Sequence, residues 1–174
     1  MAQLNDVFTP TTVNGASGFI AALVVNLQTE ENRLAQISGS GPGVPDANGN
    51  IVPGTIRAGH ILTYGPNGTV ILGTSPDLST SFSKLFFVAI SNTVGPSGAA
   101  SSIVTCAHGG IRFDTSIYNP AGVYTVGAPL IAVNGVLEPK VLGDNKQVVG
   151  YVGPRGLQSG VLDVLFPQSG GGRY

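Results

Sequence analysis

Two Asn-Gly pairs constrain this chain more than any other feature. Asn67-Gly68 lies between His60–Tyr64 and Thr69–Leu72, and Asn134-Gly135 lies between Leu130–Val133 and Val136–Glu138. A tight hairpin turn demands two residues that tolerate positive φ, and Asn-Gly supplies them. Each pair therefore predicts two antiparallel strands. The same rhythm runs on: Gly95-Pro96-Ser97-Gly98, Gly109-Gly110 and Gly153-Pro154-Arg155-Gly156 separate short apolar runs. The runs are Thr55–Arg57 with His60–Tyr64, Thr69–Leu72, Phe86–Ser91, Ser102–Ala107, Ile111–Asp114, Leu130–Val133, Val136–Glu138, Val148–Val152 and Val161–Phe166. Strands at such spacing predict an all-β fold, a compact β-barrel or β-sandwich, rather than βαβ units.

Composition tests this reading from the opposite side. Glycine and proline total 38 of 174 residues, and with 14 serines they reach the range where disorder is suspected, about 25–30%. Yet Leu, Ile, Val and Phe together number 52, and only 10% of residues are charged. Disordered chains are charged and poor in large hydrophobes, the reverse of this one. The glycines and prolines must therefore punctuate a folded chain. Val and Ile outnumber Leu 31 to 14, while Glu and Lys occur three times each, a strand-forming balance.

Four regions are expected. Residues 1–18 read as an N-terminal arm. Residues 19–54 are an apolar segment followed by a Gly/Pro-rich loop, which runs from Ser38 to Gly54 and carries the strongest loop signal in the chain. In the apolar segment, Phe19–Leu27 fits a strand buried on both sides, with a short helix as the rival, since Leu23, Leu27, Leu34 and Ile37 could share a helical face. Residues 55–168 form the β-barrel-like domain, and residues 169–174 a flexible C-terminal tail.

Several functions are disfavoured. Net charge is −1 and the eight Lys and Arg are scattered, so no nucleic-acid partner is expected. Met1–Pro10 has no Lys or Arg, and the longest apolar stretch, Phe19–Val25, is far short of the roughly 20 residues that span a bilayer. No membrane partner is expected. So apolar a chain is short of solvating surface, which suggests that other chains cover part of it.

Catalytic sets are sparse. Cys106, His108 and Asp114 can be written as a Cys/His/Asp arrangement, but Cys106 sits in an apolar strand, where a thiol is usually a small core residue. His108 before Gly109-Gly110 reads as a turn residue. His60 and His108, without local spacing, do not predict zinc. Asp46, Asn48 and Asn50 alternate as in a calcium loop, but the twelfth position is Arg57 instead of Glu, so turn chemistry explains them better. Gly39–Gly43 lacks the Lys-Ser/Thr of a phosphate loop, and Glu30-Glu31 reads as a solvated face. Asn67-Gly68-Thr69 matches a glycosylation acceptor but serves a hairpin better. No catalytic, cofactor-binding or metal-binding residue is assigned, and no enzyme activity or cofactor is expected. Phe86, Phe87, Phe113 and Phe166, with Tyr124 and Tyr151, are core candidates; Tyr118 and Tyr174 fit core or contact equally.

From Thr55 onward the chain resembles the head decoration (capsid cement, or stabilising) proteins of tailed bacteriophages. The resemblance rests on ordered pieces: Ile56-Arg-Ala-Gly-His-Ile-Leu62, Asn67-Gly-Thr-Val-Ile-Leu72, Phe87-Val-Ala-Ile90, Gly110-Ile-Arg-Phe113 through Tyr118, Tyr124-Thr-Val-Gly-Ala-Pro-Leu130, Asn134-Gly-Val-Leu-Glu-Pro139, Val148-Val-Gly-Tyr-Val-Gly153 and Gly160-Val-Leu-Asp-Val-Leu-Phe166. It covers about two thirds of the chain, and residues 1–54 lie outside it. It implies a structural virion protein made in the host cytoplasm and placed on the outer capsid surface. There it would bind the major capsid protein and stabilise the shell as a homo-oligomer, a trimer being favoured. A virion fibre or host-glycan adhesion module is the alternative, although no Trp is present to form the usual sugar platform.

Overall fold

The computed structural model describes residues 8–13, 19–24, 44–45, 51–52, 56–65, 70–90 and 103–167. These residues form strands and turns with no helix. The strands are β1 (Phe8–Val13), β2 (Phe19–Val24), β3 (Val44–Pro45), β4 (Ile51–Val52), β5 (Ile61–Tyr64), β6 (Val70–Leu72), β7 (Phe86–Ala89), β8 (Ile103–His108), β9 (Ile111–Thr115), β10 (Pro129–Val133), β11 (Val136–Pro139), β12 (Gly150–Gln158) and β13 (Val161–Phe166).

They assemble into a six-stranded sheet, β1-β9-β13-β12-β10-β11, a five-stranded sheet, β2-β8-β7-β5-β6, and the small pair β3-β4. All pairings between strands are antiparallel. Among the described residues each large sheet is open at both ends. The all-β expectation holds, but a closed barrel is not formed.

The two large sheets share a core. Ile61, Phe86, Val88 and Ala107 of the five-stranded sheet pack with Ile111, Phe113, Leu130, Ala132, Val152, Leu162, Val164 and Phe166 of the six-stranded one. Period-two alternation makes this possible. In β9, Ile111, Phe113 and Thr115 are buried while Arg112 and Asp114 point the other way and keep partial exposure. A second buried cluster, with Leu62, Leu72, Phe87, Ala89, Val104 and Cys106, lies on the opposite face of the five-stranded sheet. That sheet is thus apolar on both faces, which is why β7 reads Phe-Phe-Val-Ala without alternation.

Phe86, Phe87, Phe113 and Phe166 are core residues, as expected. Tyr118 and Tyr124 are half-buried against the core with their rings edge to face at 5.3 Å. The Tyr124 hydroxyl donates to the carbonyls of Asn119 and Leu137, at 2.8 and 3.1 Å. Tyr174 lies outside the described residues.

Local chemistry explains the hairpins. Val133 pairs with Val136 across Asn134-Gly135, with φ of 51° and 81°, the two-residue turn that the sequence predicts. An added Cβ at Gly135 would also press to 2.7 Å from Leu72 Cδ2. Gly135 N donates to Gly73 O at 2.7 Å and Ile61 N donates to Gly135 O at 2.8 Å, which ties this hairpin tip to the five-stranded sheet. β5 and β6 pair as the expected hairpin, but Tyr64 lies opposite Val70, whereas a two-residue turn at Asn67-Gly68 would set Tyr64 opposite Ile71; the connection therefore has an odd number of residues, and residues 66–69 lie outside the description.

One expectation is corrected. Gly153-Pro154-Arg155-Gly156 is not a hairpin turn. β12 runs through it to Gln158, and the chain reverses at Ser159-Gly160, both at positive φ. The segment is a bulge instead: Val152 pairs with Val164 and Leu157 with Leu162, so four residues of β12 face Asp163 alone. At the N-terminus, within the expected arm of residues 1–18, Phe8–Val13 is described and pairs with β9 as an edge strand. Pro10 suits such a position, since an edge strand needs no donor on its outer side. The rival helix in the next segment is not found over Phe19–Val24, which pairs with β8 as a strand. Residues 25–43 and 169–174 lie outside the described residues.

Candidate functional site: an apolar loop pair

The structure does not bring the Cys/His/Asp candidates together. Cys106 belongs to the buried cluster on the far face of the five-stranded sheet. Asp114 faces away from the shared core on the six-stranded sheet and is paired with Arg155 at 2.5 Å. Burial pushes the Cys106 thiol up to about 12, so it stays protonated and is a poor nucleophile. His108 is placed by its backbone, at the end of β8.

His60 is not an exposed base either. Burial, with the Arg57 charge beside it, lowers its pKa to about 3. Its Nδ1 accepts from Arg57 N at 2.9 Å, so the neutral ring serves the turn before β5. Among the described residues no three His, Cys, Asp or Glu side chains cluster as metal ligands. Glu30-Glu31, Gly39–Gly43, Asp46, Asn48, Asn50 and the Asn67-Gly68-Thr69 acceptor lie outside the described residues.

Two features that sequence reasoning missed are better defined. The first is an ion network under the β12 bulge. Asp163, its side chain 2% exposed, accepts from Arg112 Nε and Nη2 at 2.8 and 2.7 Å and from Arg155 N at 2.9 Å. Burial raises the Asp163 pKa, but the hydrogen bonds and charges of Arg112 and Arg155 outweigh it and hold the carboxyl below its usual range. Gly153 is required here, because a Cβ would overlap the Asp163 carboxylate. The available signal was a lone Asp inside the apolar run Val161–Phe166.

The second is a pair of loops, 74–85 and 140–147. Asp77 organises the first: its carboxylate accepts from Ser79 N and Oγ at 2.8 and 2.6 Å, and its carbonyl from Ser81 N at 2.8 Å. The loops are bound to each other. Leu78 N donates to Asn145 O at 3.0 Å and Gln147 N to Pro76 O at 2.9 Å. The Gln147 amide closes the frame, accepting from Lys84 N at 2.7 Å and donating to Lys84 O at 2.8 Å.

This frame carries apolar side chains in water. Phe82 is 96% exposed and Leu142 102%, with Leu78, Leu85 and Val141 also exposed. Single exposed hydrophobes are ordinary; several on two mutually bound loops make this pair the candidate interaction surface. Burying a Phe or Leu side chain is worth about 1.5–3 kcal/mol each. The apolar residues set among polar ones, as in Ser81-Phe82-Ser83, are visible in the sequence; that the two loops meet is not.

No family model, no curated protein and no solved structure matches this chain.

Proposed function

We propose that this protein is a structural virion protein, a capsid decoration protein of a tailed bacteriophage, acting without catalysis. It would bind the outer surface of the major capsid shell as a homo-oligomer, with a trimer favoured, and strengthen it. The sequence resemblance suggests the class, and two open sheets around one core, a β-sandwich reading of the fold, are compatible with it. The observation that carries the proposal is the loop pair 74–85 and 140–147, which holds Phe82 and Leu142 almost fully in solvent on a hydrogen-bonded frame. Such a surface suits docking on a protein shell. On a symmetric particle each modest contact is repeated many times, so the layer is retained although a single contact is weak.

The test is co-sedimentation with capsids stripped of the protein. Phe82→Asp with Leu142→Asp should abolish binding while the unfolding temperature stays unchanged. Undiminished, saturable binding by the double variant would remove the loop pair from the interface. A copy number of only a few per particle would favour the fibre or adhesion alternative.

A further inference from the structure

All three lysines of the chain stand on the apolar loop pair. Lys84 lies near the end of the first loop, Lys140 opens the second and Lys146 lies within it. Lys84 is remote from the other two in sequence, and hydrogen bonds across the seam bring it to them. Gln147 holds the Lys84 backbone at both its polar groups, accepting from Lys84 N at 2.7 Å and donating to Lys84 O at 2.8 Å. Lys140 N donates to Pro129 O at 2.9 Å, which fixes the start of the second loop against β10.

The two acids of these loops are already engaged. Asp144 accepts from Lys146 N at 3.0 Å and pairs with its Nζ at 3.7 Å. The Asp77 carboxylate serves Ser79 and faces the same Lys146 charge. Lys84 and Lys140 have no ion pair among the described residues. The loops therefore carry a net charge of +1, although the whole chain carries −1. The two unpaired cations are set among the exposed apolar residues. Lys84 lies between Phe82 and Leu85 along the chain, and Lys140 precedes Val141-Leu142.

We propose that the loop pair docks on an acidic protein surface: an apolar recess that takes Phe82 and Leu142, edged by carboxylates that meet Lys84 and Lys140. The inference rests on the reading of this loop pair as the capsid-binding surface, and it specifies the chemistry of the partner. Docking that buries Phe82 and Leu142 also takes water from the neighbouring ammonium groups. A charge that loses water without gaining a counter-charge opposes association, so the partner supplies one for each lysine. Several apolar side chains with two unpaired cations beside them match a protein interface, apolar at its centre and polar at its rim. A phosphate backbone is instead gripped by many cations and offers no recess for Phe82.

The test is co-sedimentation of the full chain with capsids stripped of the protein, between about 50 and 500 mM NaCl, over which the Debye length falls from roughly 14 to 4 Å. Wild-type affinity should fall at least about tenfold over this range. At the lower salt, Lys84→Glu with Lys140→Glu should weaken binding at least about tenfold, while Lys84→Arg with Lys140→Arg binds as the wild type does. If the Glu variant binds as tightly as the wild type, while binding still requires Phe82 and Leu142, the acidic partner is overturned and the docking surface stands. Should the Glu variant fail to fold, a wild-type affinity independent of salt has the same meaning. Wild-type protein that binds no capsid overturns both readings. Tighter binding to phosphatidylglycerol vesicles than to capsids, lost in the Glu variant, overturns the protein partner in favour of a lipid surface.

Discussion

Replacing Asp163 with Ala tests whether the β12 bulge is held by charge. The substitution removes one acceptor that serves three donors: Arg112 Nε, Arg112 Nη2 and Arg155 N. Removing one partner of a buried ion pair costs about 3–5 kcal/mol. The Arg112 side chain is 27% exposed and recovers some hydration, which places the expected loss near the lower end, about 3 kcal/mol. For a chain of this size that lowers the unfolding temperature by roughly 6–12 °C. Asp163→Asn keeps the volume and an acceptor for Arg155 N, and should lose about half as much. Circular dichroism during thermal unfolding at pH 7 reads both.

Acid titration supplies the second arm. The folded Asp163 pKa is lowered, so its contribution is fully present above the unfolded carboxyl value, about 3.9, and is lost as pH falls through the folded value. The wild type should therefore lose stability faster than Asp163→Asn as pH falls below about 4, and the two should converge in strong acid. A loss under about 1 kcal/mol for Asp163→Ala, or parallel acid profiles, would refute the argument that this pair secures the bulge.

Three further outcomes are expected. Gly153→Ala should destabilise by about 1–3 kcal/mol in urea unfolding, because its methyl group would overlap the Asp163 carboxylate; combined with Asp163→Ala it should cost less than the two singly. Cys106 should resist a thiol-modifying reagent at pH 8 in the folded protein and react once urea unfolds it, since burial pushes its pKa up to about 12. His60, with a folded pKa of about 3, should show no NMR titration between pH 5 and 8; because the unfolded chain protonates near 6.5, the protein should lose stability as pH falls from about 6.5 towards 3.

Hairpins were the most legible part of the fold. Asn134-Gly135 predicted its turn because the demand for positive φ at two successive residues is local, and Asn-Gly meets it regardless of what packs nearby. The same logic failed at Gly153-Pro154-Arg155-Gly156. Those residues are equally suited to a turn or a bulge, and the choice falls to a carboxylate eight positions on, which binds Arg155 N. The candidate surface was half legible. Phe82 stands out among serines, but its loop meets 140–147 through Gln147, a contact across 63 residues that no local pattern encodes.

The sequence by itself determined the secondary structure class: β-branched runs, few helix formers, and turn residues at intervals too short for crossovers. It also determined that Cys106 would be a core thiol, since an apolar strand leaves it no water. Tertiary structure alone decided which strands are neighbours. Backbone pairing is nearly indifferent to side chains, so nothing in Phe8–Val13 announces β9 as its partner. It decided, too, that Cys106 and Asp114 face away from the shared core on different sheets. Alternation assigns residues to two faces of a strand, but which face meets the core depends on the sheet packed against it.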